Sequence, residues 1–473
     1  MNILLINPWI TDFAAYDFWV KPLGLLYVGA FLRERGHTVR FIDCTDRFQD
    51  GGLTSNETDQ ARHYNTGKFH REVIEKPSCL KHVPRNFNRY GIPVALFEIL
   101  AKNGSRPDAI CVSCVMTYWY HGAQEAISIV RRIFPGVPVI LGGIYATLCP
   151  DHAAAESGAD VVVTESQPSM IIEAIETVGG KQGDGYITPD DFSQWPEPIW
   201  DVYDNLPSAV TMTTRGCPMR CTVCASHLLF DGFERRPVSD AALSIKKLAA
   251  RGVEDIAFSD DALLLDAERY AIPLLEDLTG EGVPVRLHTP NGLHIREITS
   301  KLAGIMRQAG VKTVRLSLET TSGKRETDFS GKVTRNDFRT AADALFGVGY
   351  TTGELGAYIL VGLPGQTMEE VFDTIRFSLE VGVPVKPALF SPVPGTVEFD
   401  RVVRAGMIRK DDDPVLHNNT LRSVDIWHDN PDGYKQFKQI VSGANDIVKN
   451  GGRPFKDTEF CKLFQFTVKN MIF

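Results

Sequence analysis

A chain of 473 residues with 43% hydrophobic and 23% charged side chains is long enough for two or three domains, each with its own core. Its formal net charge of -9 excludes a general attraction to nucleic acid or anionic membrane and leaves only local basic patches. No run of about 20 apolar residues offers a membrane span, and the apolar start MNILLINPW is too short for a secretory signal. Neither nucleic acid nor membrane is expected as a partner. Of nine cysteines, three sit in one short cluster, and Cys44, Cys79, Cys111, Cys114, Cys149 and Cys461 show no disulfide framework, so a reducing cytoplasm is expected.

Taken in order, residues 1–8 read as a buried strand, 23–35 as a helix stopped by Gly36, and 38–43 as a second strand. The alternation resumes with a strand at 109–116, a helix at 123–133 and strands at 137–142 and 161–164. This pattern predicts an α/β domain over residues 1–180, a doubly wound parallel sheet with ligands at the carboxyl ends of its strands. Those ends carry Asn7-Pro8, a run from Thr117 and Tyr118 to Gly122, and Gly142-Gly143-Ile144-Tyr145-Ala146-Thr147. The glycines there let a large ligand approach the backbone. Residues 51–90 interrupt the pattern with a polar stretch containing Tyr64, Phe69, Phe87 and Tyr90, either a surface lobe or a cover for substrate. Cys111 and Cys114 on an apolar strand point to opposite faces, which favours packing over redox work. Residues 181–207, with Pro189, Pro196, Pro198 and Pro207, read as an interdomain linker.

Next comes GCPMRCTVC, residues 216–224, in which Cys217, Cys221 and Cys224 are separated by three and then two residues. Thiolates at this spacing converge on a soft metal centre. A structural zinc closes with four ligands, and no second pair of cysteines lies nearby to complete one. Three thiolates therefore suggest an incompletely coordinated centre, whereas His227 as a fourth ligand makes it a closed zinc or iron-sulfur site. Placed after the Thr-rich apolar strand 209–214, CxxxCxxC resembles the signature of radical S-adenosylmethionine (SAM) enzymes, although Val223 stands where the family usually has an aromatic residue. The resemblance implies a 4Fe-4S cluster with one iron free for SAM, reductive cleavage of SAM to a 5'-deoxyadenosyl radical, a reductant such as flavodoxin or ferredoxin, and a substrate whose identity the sequence leaves open.

Strands near Ile256, Val285, Val314, Ile359 and Val385 alternate with helices near Ile245, Leu274, Leu302, Ala344 and Ile375. With the strand before the cysteines they make six, matching the partial (β/α)6 barrel of that family over residues 208–397, with chemistry at the strands' carboxyl ends. By this resemblance Ser259, Asp260 and Asp261 accept hydrogen bonds from the ammonium of SAM, Ser317 and Glu319 reach its ribose or methionine part, and Gly362 with Gly365 admits adenine to the backbone. The plainer readings are a helix cap for Asp260 or Asp261 and a buried ion pair for Glu319. TPNGLH at 289–294 reads as a pocket wall or simply a turn. The small segment 398–473 holds Trp427, Tyr434, Phe437, Phe455, Phe460, Phe464 and Phe466, a density that means core packing or a closure over the barrel's open side, and Cys461 is an isolated thiol.

In the first domain, KPLGLLYVGAFLRERGHTV and ILGGIYATLCPDH resemble the cobalamin-binding domain that precedes the radical core in one class of these enzymes. This implies cobalamin against Thr117, Tyr118, Gly142, Gly143, Ile144 and Tyr145. The loop at 11–24 lacks the histidine that ligates cobalt from below in some cobalamin domains; His121 is the other imidazole to consider, as a ligand or as an ordinary helix-start residue. Tyr145 stands where relatives often have histidine. The expected activity is radical SAM chemistry with cobalamin, led by methyl transfer to an unactivated carbon, with ring rearrangement or redox chemistry as class alternatives. The rivals are a radical SAM enzyme with a cobalamin-free first domain and a noncatalytic metal-binding sensor.

Overall fold

The computed structural model describes residues 1–49, 63–180, 187–325, 327–329, 331, 333–427, 432–452 and 454. By internal contacts it divides into a first unit, residues 1–210 with 228–236 and 410–417, and a second, residues 211–227, 237–409 and 418–473.

The first unit runs through β1 (Asn2–Asn7), β2 (Ile10–Asp12), α1 (Leu23–Glu34), β3 (Thr38–Asp43), β4 (Arg71–Ile74), β5 (Phe87–Tyr90), α2 (Val94–Lys102), β6 (Ala109–Ser113), α3 (Tyr120–Ile133), β7 (Val139–Gly142), α4 (Ile144–Leu148), α5 (Pro150–Glu156), β8 (Val161–Val162) and α6 (Pro168–Val178). Its main sheet has the order β3-β1-β6-β7-β8, with every neighbouring pair parallel. Ile3, Leu4, Leu5 and Ile6 of β1 are all buried, as a strand covered on both faces requires. The chain leaves β1 toward β3 on one side and returns through β6 on the other. That reversal opens a crevice beyond the carboxyl ends of β1 and β6.

Part of the expected insertion is folded: β2, β5 and β4 form an antiparallel sheet in that order, with Phe69, Phe87 and Tyr90 buried. Residues 50–62 of it, and residues 181–186 of the expected linker, lie outside the described residues. Cys111 and Cys114 are both buried, and loss of water pushes each thiol up to about 12, which suits packing and not redox exchange.

The rest of the chain supplies β9 (Ser208–Thr211), β10 (Thr214–Gly216), α7 (Ser226–Leu229), β11 (Phe233–Arg235), α8 (Val238–Ala250), β12 (Asp255–Phe258), α9 (Ala271–Gly280), β13 (Arg286–Leu293), α10 (Ser300–Gln308), β14 (Val311–Glu319), α11 (Arg335–Gly347), β15 (Leu355–Val361), α12 (Met368–Val381), β16 (Val385–Leu389), α13 (Val397–Arg404), α14 (Asn419–Ile426) and α15 (Gly433–Lys449). Six strands form one sheet in the order β16-β15-β14-β13-β12-β9, and the successive pairs from β12 to β16 are parallel. This is the partial barrel. Its outer face packs Ile359, Val361 and Val385 against Phe372, Ile375 and Leu379 of α12 and Phe437, Ile440 and Ala444 of α15, with Trp427 beside them. Trp427, Tyr434 and Phe437 thus belong to core packing; Phe455, Phe460, Cys461, Phe464 and Phe466 lie outside the described residues. Asn445 of α15 accepts from the Val385 amide at 2.8 Å and donates to its carbonyl at 2.9 Å, so a side-chain amide pairs the edge of β16. Among the described residues no helix is long and apolar enough to cross a membrane.

The expected strand 209–214 is two pieces, β9 and β10, because residues 213 and 214 turn their amides to a carboxylate instead of a neighbouring strand.

At α3 the packing tolerates only hydrogen: a Cβ on Gly122 stands 2.0 Å from the Trp9 carbonyl oxygen. Gly122→Ala should therefore lower the stability of the first unit by about 1–3 kcal/mol, as overpacking does, read as a lower denaturant midpoint; an unchanged midpoint means α3 can move off the β1 loop freely.

Candidate functional site

The three cysteines follow β10 on a loop that the rest of the second unit grips from two sides. Gly216 adopts φ 76°, the left-handed turn that starts the loop. In its middle, the Thr222 amide donates to the Asp328 carbonyl at 2.8 Å, its carbonyl accepts from the Glu398 amide at 3.1 Å, and its hydroxyl donates to the Glu398 carboxylate at 2.9 Å. Arg401 ties Asp328 and Glu398 together at 3.0 and 2.6 Å. Cys221 and Val223 pack on an apolar cluster of Phe329, Leu363, Phe390, Phe399 and Val402. Val223 is therefore a packing residue, and a larger ring there would displace part of this wall.

Cys217 and Cys221 are half-buried and Cys224 is exposed. The Cys224 thiol is pushed up by loss of water first and then by the charges of Asp261, Cys221 and Cys217, so the three sulfurs feel one another. The Ser226 amide donates to Cys224 Sγ at 3.4 Å. Among the described residues no three His, Cys, Asp or Glu side chains gather tightly enough to hold one metal ion, His227 included. In a cubane each cysteine takes a different iron, so its sulfurs need not meet at a point. A donor set of three cysteine sulfurs fits such a cluster, whose iron favours the thiolate that the free loop disfavours.

Beside this loop the end of β12 carries the expected acidic pair. Asp260 is buried; its Oδ1 accepts from the Thr213 amide at 3.0 Å, the Thr213 hydroxyl at 2.6 Å and the Thr214 amide at 2.5 Å, while its Oδ2 has no hydrogen-bond partner among the described residues. Burial pushes its carboxyl up to about 6 against those three donors. Asp261 accepts from the Ser226 hydroxyl. Neither caps the next helix, which begins at Ala271. Ser259 is used within the framework: its amide and hydroxyl donate to the Thr211 carbonyl at 2.8 and 3.0 Å. Asn291 of the TPNGLH stretch donates to the Ser259 and Asp260 carbonyls at 3.0 and 3.2 Å, so this stretch is an irregular strand end that props the acidic loop.

Ser317 and Glu319 line a cavity of about 350 Å³ after β14, with Thr320, Thr321, Arg325 and Thr334. Ser317 fits because Gly292 is bare, a Cβ there standing 1.9 Å from Ser317 Oγ. Glu319 holds the left-handed φ of 59°, a costly conformation for a side-chain-bearing residue and frequent at functional sites. Gly362, φ 92°, gives its amide to Gln366 Oε1 at 2.8 Å, and Gln366 also closes on the Leu363 amide and the Leu360 carbonyl. This amide is thus occupied, and it is the shape of the turn that Gly362 and Gly365 provide.

In the first unit a second cavity of about 300 Å³ lies at the sheet's reversal point, lined by Asn7, Pro8, Trp9, Lys21, Thr45 and the stretch 113–116 among others. Its floor is a satisfied polar network: Asp43 accepts from Asn7 at 2.7 Å, Thr45 at 2.7 Å and Tyr203 at 2.7 Å. Lys21 lies 3.4 Å from Asp46 and 4.3 Å above the Tyr203 ring. Gly143, exposed at φ 90°, is pressed so close that a Cβ meets the Cys114 carbonyl at 2.8 Å; Gly142 and Ile144 flank it half-exposed. An apolar-walled cleft with a few fixed polar groups suits part of a large heterocyclic cofactor. Thr117, Tyr118 and Tyr145 are buried behind it: Thr117 Oγ1 lies 3.1 Å from His417 Nδ1, and the Tyr145 hydroxyl 2.7 Å from His152 Nδ1 with its ring stacked on Tyr120. His121 sits half-buried on the first turn of α3, its Nδ1 without a hydrogen-bond partner among the described residues and its pKa lowered by burial. Sequence reasoning named Asn7 and Pro8 of this lining but missed Lys21, Thr45 and Trp9, while Thr117, Tyr118, Gly142, Gly143, Ile144 and Tyr145 are not among the residues that line it; Lys21 opens the quoted KPLGLL stretch, and that was the available signal.

A family model described as the radical SAM superfamily matches residues 211–378, and one described as the B12 binding domain matches residues 91–173. A Pyrococcus horikoshii protein described as the uncharacterized methyltransferase PH0819 is 25% identical over 322 residues, 61% of this chain and 68% of the relative. The solved structure of the radical SAM methyltransferase TsrM from Kitasatospora setae, with cobalamin and a [4Fe-4S] cluster bound, aligns with a TM-score of 0.62 at 14% identity, covering 88% of this chain and 81% of that one. The cobalamin-dependent radical SAM enzyme OxsB with aqua-cobalamin aligns at 0.65 and 12% identity, covering 99% and 75%. At such identities the two structures establish the fold. The chain thus carries a segment matching the radical SAM superfamily and, ahead of it, one matching the B12 binding domain. The first of these domains takes a 4Fe-4S cluster and SAM, with a reductant and a substrate; the second takes cobalamin.

Because the Asp260 carboxyl is pushed up from 3.8 to about 6, folding favours its protonated form. Its contribution is full below about pH 3.8 and lost as pH rises through about 6. Wild type compared with Asp260→Asn should lose relative stability across that window by up to about 3 kcal/mol, measured by denaturant unfolding at a series of pH values; a flat difference would remove the perturbed carboxyl.

Proposed function

We propose that this protein is a cytoplasmic, cobalamin-dependent radical SAM methyltransferase acting on an unactivated carbon. The observation that carries the reading is the three-cysteine loop, whose sulfurs act on one another beside a buried carboxylate with one uncommitted oxygen. Its presence in one chain with a B12-binding domain, and relatives described as methyltransferases, support methyl transfer over the rearrangement and redox outcomes.

In this reading Cys217, Cys221 and Cys224 hold the cluster. Asp260 Oδ2 accepts from the SAM ammonium, with Asp261 and Ser259 shaping the same loop. Ser317 and Glu319 face the ribose or methionine part, and the turn at Gly362 receives adenine. In the first domain, residues 1–180, the bare Gly142-Gly143 turn with Ile144 abuts cobalamin, and Thr117, Tyr118 and Tyr145 support that wall from behind. Residues 181–207 act as the linker, 208–397 as the radical core and 398–473 as a C-terminal segment. When bound, cluster and SAM together supply a carbon-centred radical on reduction by a flavodoxin- or ferredoxin-type donor, and cobalamin supplies the methyl group. The apolar wall of Phe329, Leu363, Phe390 and Phe399 backs Cys221 and Val223 and keeps water from that side of the loop.

Anaerobic reconstitution with iron, sulfide and hydroxocobalamin tests it. The expected result is a retained cobalt absorption spectrum, with 5'-deoxyadenosine and S-adenosylhomocysteine formed from SAM under reduction. Cys221→Ala should lose both the iron-sulfur absorption and 5'-deoxyadenosine. Cluster-loaded protein that leaves SAM intact would sink the enzyme reading, and failure to retain cobalamin would remove methyl transfer through it.

A further inference from the structure

The inner face of the barrel carries two cationic side chains, Arg315 and Lys386, that form no ion pair among the described residues. Along β15, Ile359 and Val361 face the helices, so Gly356, Tyr358 and Leu360 face inward. On β14 the inward set includes Arg315 and Ser317, after which the register slips, and on β16 it includes Lys386, which pairs in register with Tyr358. Arg315 and Lys386 converge over Gly356: a Cβ added there stands 3.3 Å from Lys386 Cγ and 3.4 Å from Arg315 Nη1. The missing side chain is what lets two cationic chains share one spot.

Nothing described neutralises them. Arg315 Nη1 donates to the Val314 and Glu354 carbonyls, both at 3.3 Å, and Tyr358, beside it, gives its hydroxyl to the Pro290 carbonyl at 2.7 Å. Lys386, an exposed residue on the end strand β16, has no hydrogen bond or ion pair among the described residues, and its ammonium is pulled below its ordinary pKa by partial loss of water and by the charges of Arg315 and Lys449. The nearby carboxylates are committed elsewhere: Asp255 to Arg286 and His288, Glu354 to Arg307, Asp446 to Lys449. Two cationic side chains that rise from neighbouring strands past the same bare glycine, with no carboxylate partner among the described residues, suit an anion between them. Arg315 lies two residues before Ser317, about 7 Å along the strand, so a group bound there stands below the strands' carboxyl ends on the same inner face.

We propose that Arg315 and Lys386 bind an oxyanion, carboxylate or phosphoryl, of the enzyme's substrate, fixing the end of that molecule remote from the reacting carbon. The inference rests on the radical SAM reading for the identity of the occupant as substrate, and on the barrel alone for the site.

Calorimetric titration of the reconstituted protein in low-salt buffer, with inorganic phosphate in one arm and malonate in the other, tests it. Saturable binding of at least one anion is expected, the tighter arm naming the group. Lys386→Gln and Arg315→Gln should each weaken it on the order of tenfold, the effect of losing one charge-assisted hydrogen bond, and Gly356→Ala should weaken it by crowding both chains. Lys435→Gln, on an exposed part of α15, should not. No saturable binding of either anion, or equal binding by wild type and Lys386→Gln, overturns the proposal. Since the titration needs no turnover, an active enzyme that binds neither anion refutes this inference alone, and anion binding without SAM cleavage refutes the enzyme reading alone.

Discussion

One carboxylate organises the approach to the cysteines. Asp260, at the end of β12, collects three donors from Thr213 and Thr214 on a single oxygen, and two of them are the backbone amides that an unbroken strand from 208 to 216 would have offered to a neighbouring strand. By taking them it breaks the strand into β9 and β10 and redirects the chain into the loop that bears Cys217, Cys221 and Cys224. A buried ion that is only half satisfied is expensive, and burial accordingly pushes its carboxyl up to about 6. Framework and binding group are thus the same side chain, one oxygen serving each role.

What was legible in the sequence follows from which contacts are local. The cysteine spacing and the alternation of strands and helices are short-range signals, and the elements they predicted are present with boundaries shifted by a few residues. The break at residues 212–213 was not legible, because its cause lies 47 residues away in Asp260. Nor was the anchoring of Thr222, whose partner Glu398 is 176 residues distant. The same distance problem hid the meaning of Val223: as a letter it is a departure from the family pattern, and in the fold it is one face of an apolar wall contributed by residues 329–402.

The cavity of the first unit illustrates the intermediate case. Its position followed from the strand order, since a parallel sheet that reverses between β1 and β6 must part its loops there. Its lining did not, because Trp9, Lys21 and Thr45 come from three loops whose convergence is a property of the sheet and not of any one segment. Glycines mark such convergences only in retrospect: Gly122, Gly292 and Gly356 are unremarkable letters until the atom that a Cβ would strike is known.

Polar satisfaction separates framework from site along the barrel's strands. At the amino ends, Asp255 and His288 are fully buried and His288 sits between Asp255 at 2.8 Å and Thr313 at 2.9 Å, with Arg286 closing the group. Every charge there is answered, which is what stability demands of buried ions. Midway, Arg315 and Lys386 have no carboxylate partner among the described residues; at the carboxyl ends, one oxygen of Asp260 has no hydrogen-bond partner among them. Such unsatisfied groups are costly to the free protein, and a ligand that satisfies them recovers that cost on binding. The levels ask for different occupants: a cationic cluster and ammonium at the carboxyl ends, an oxyanion below.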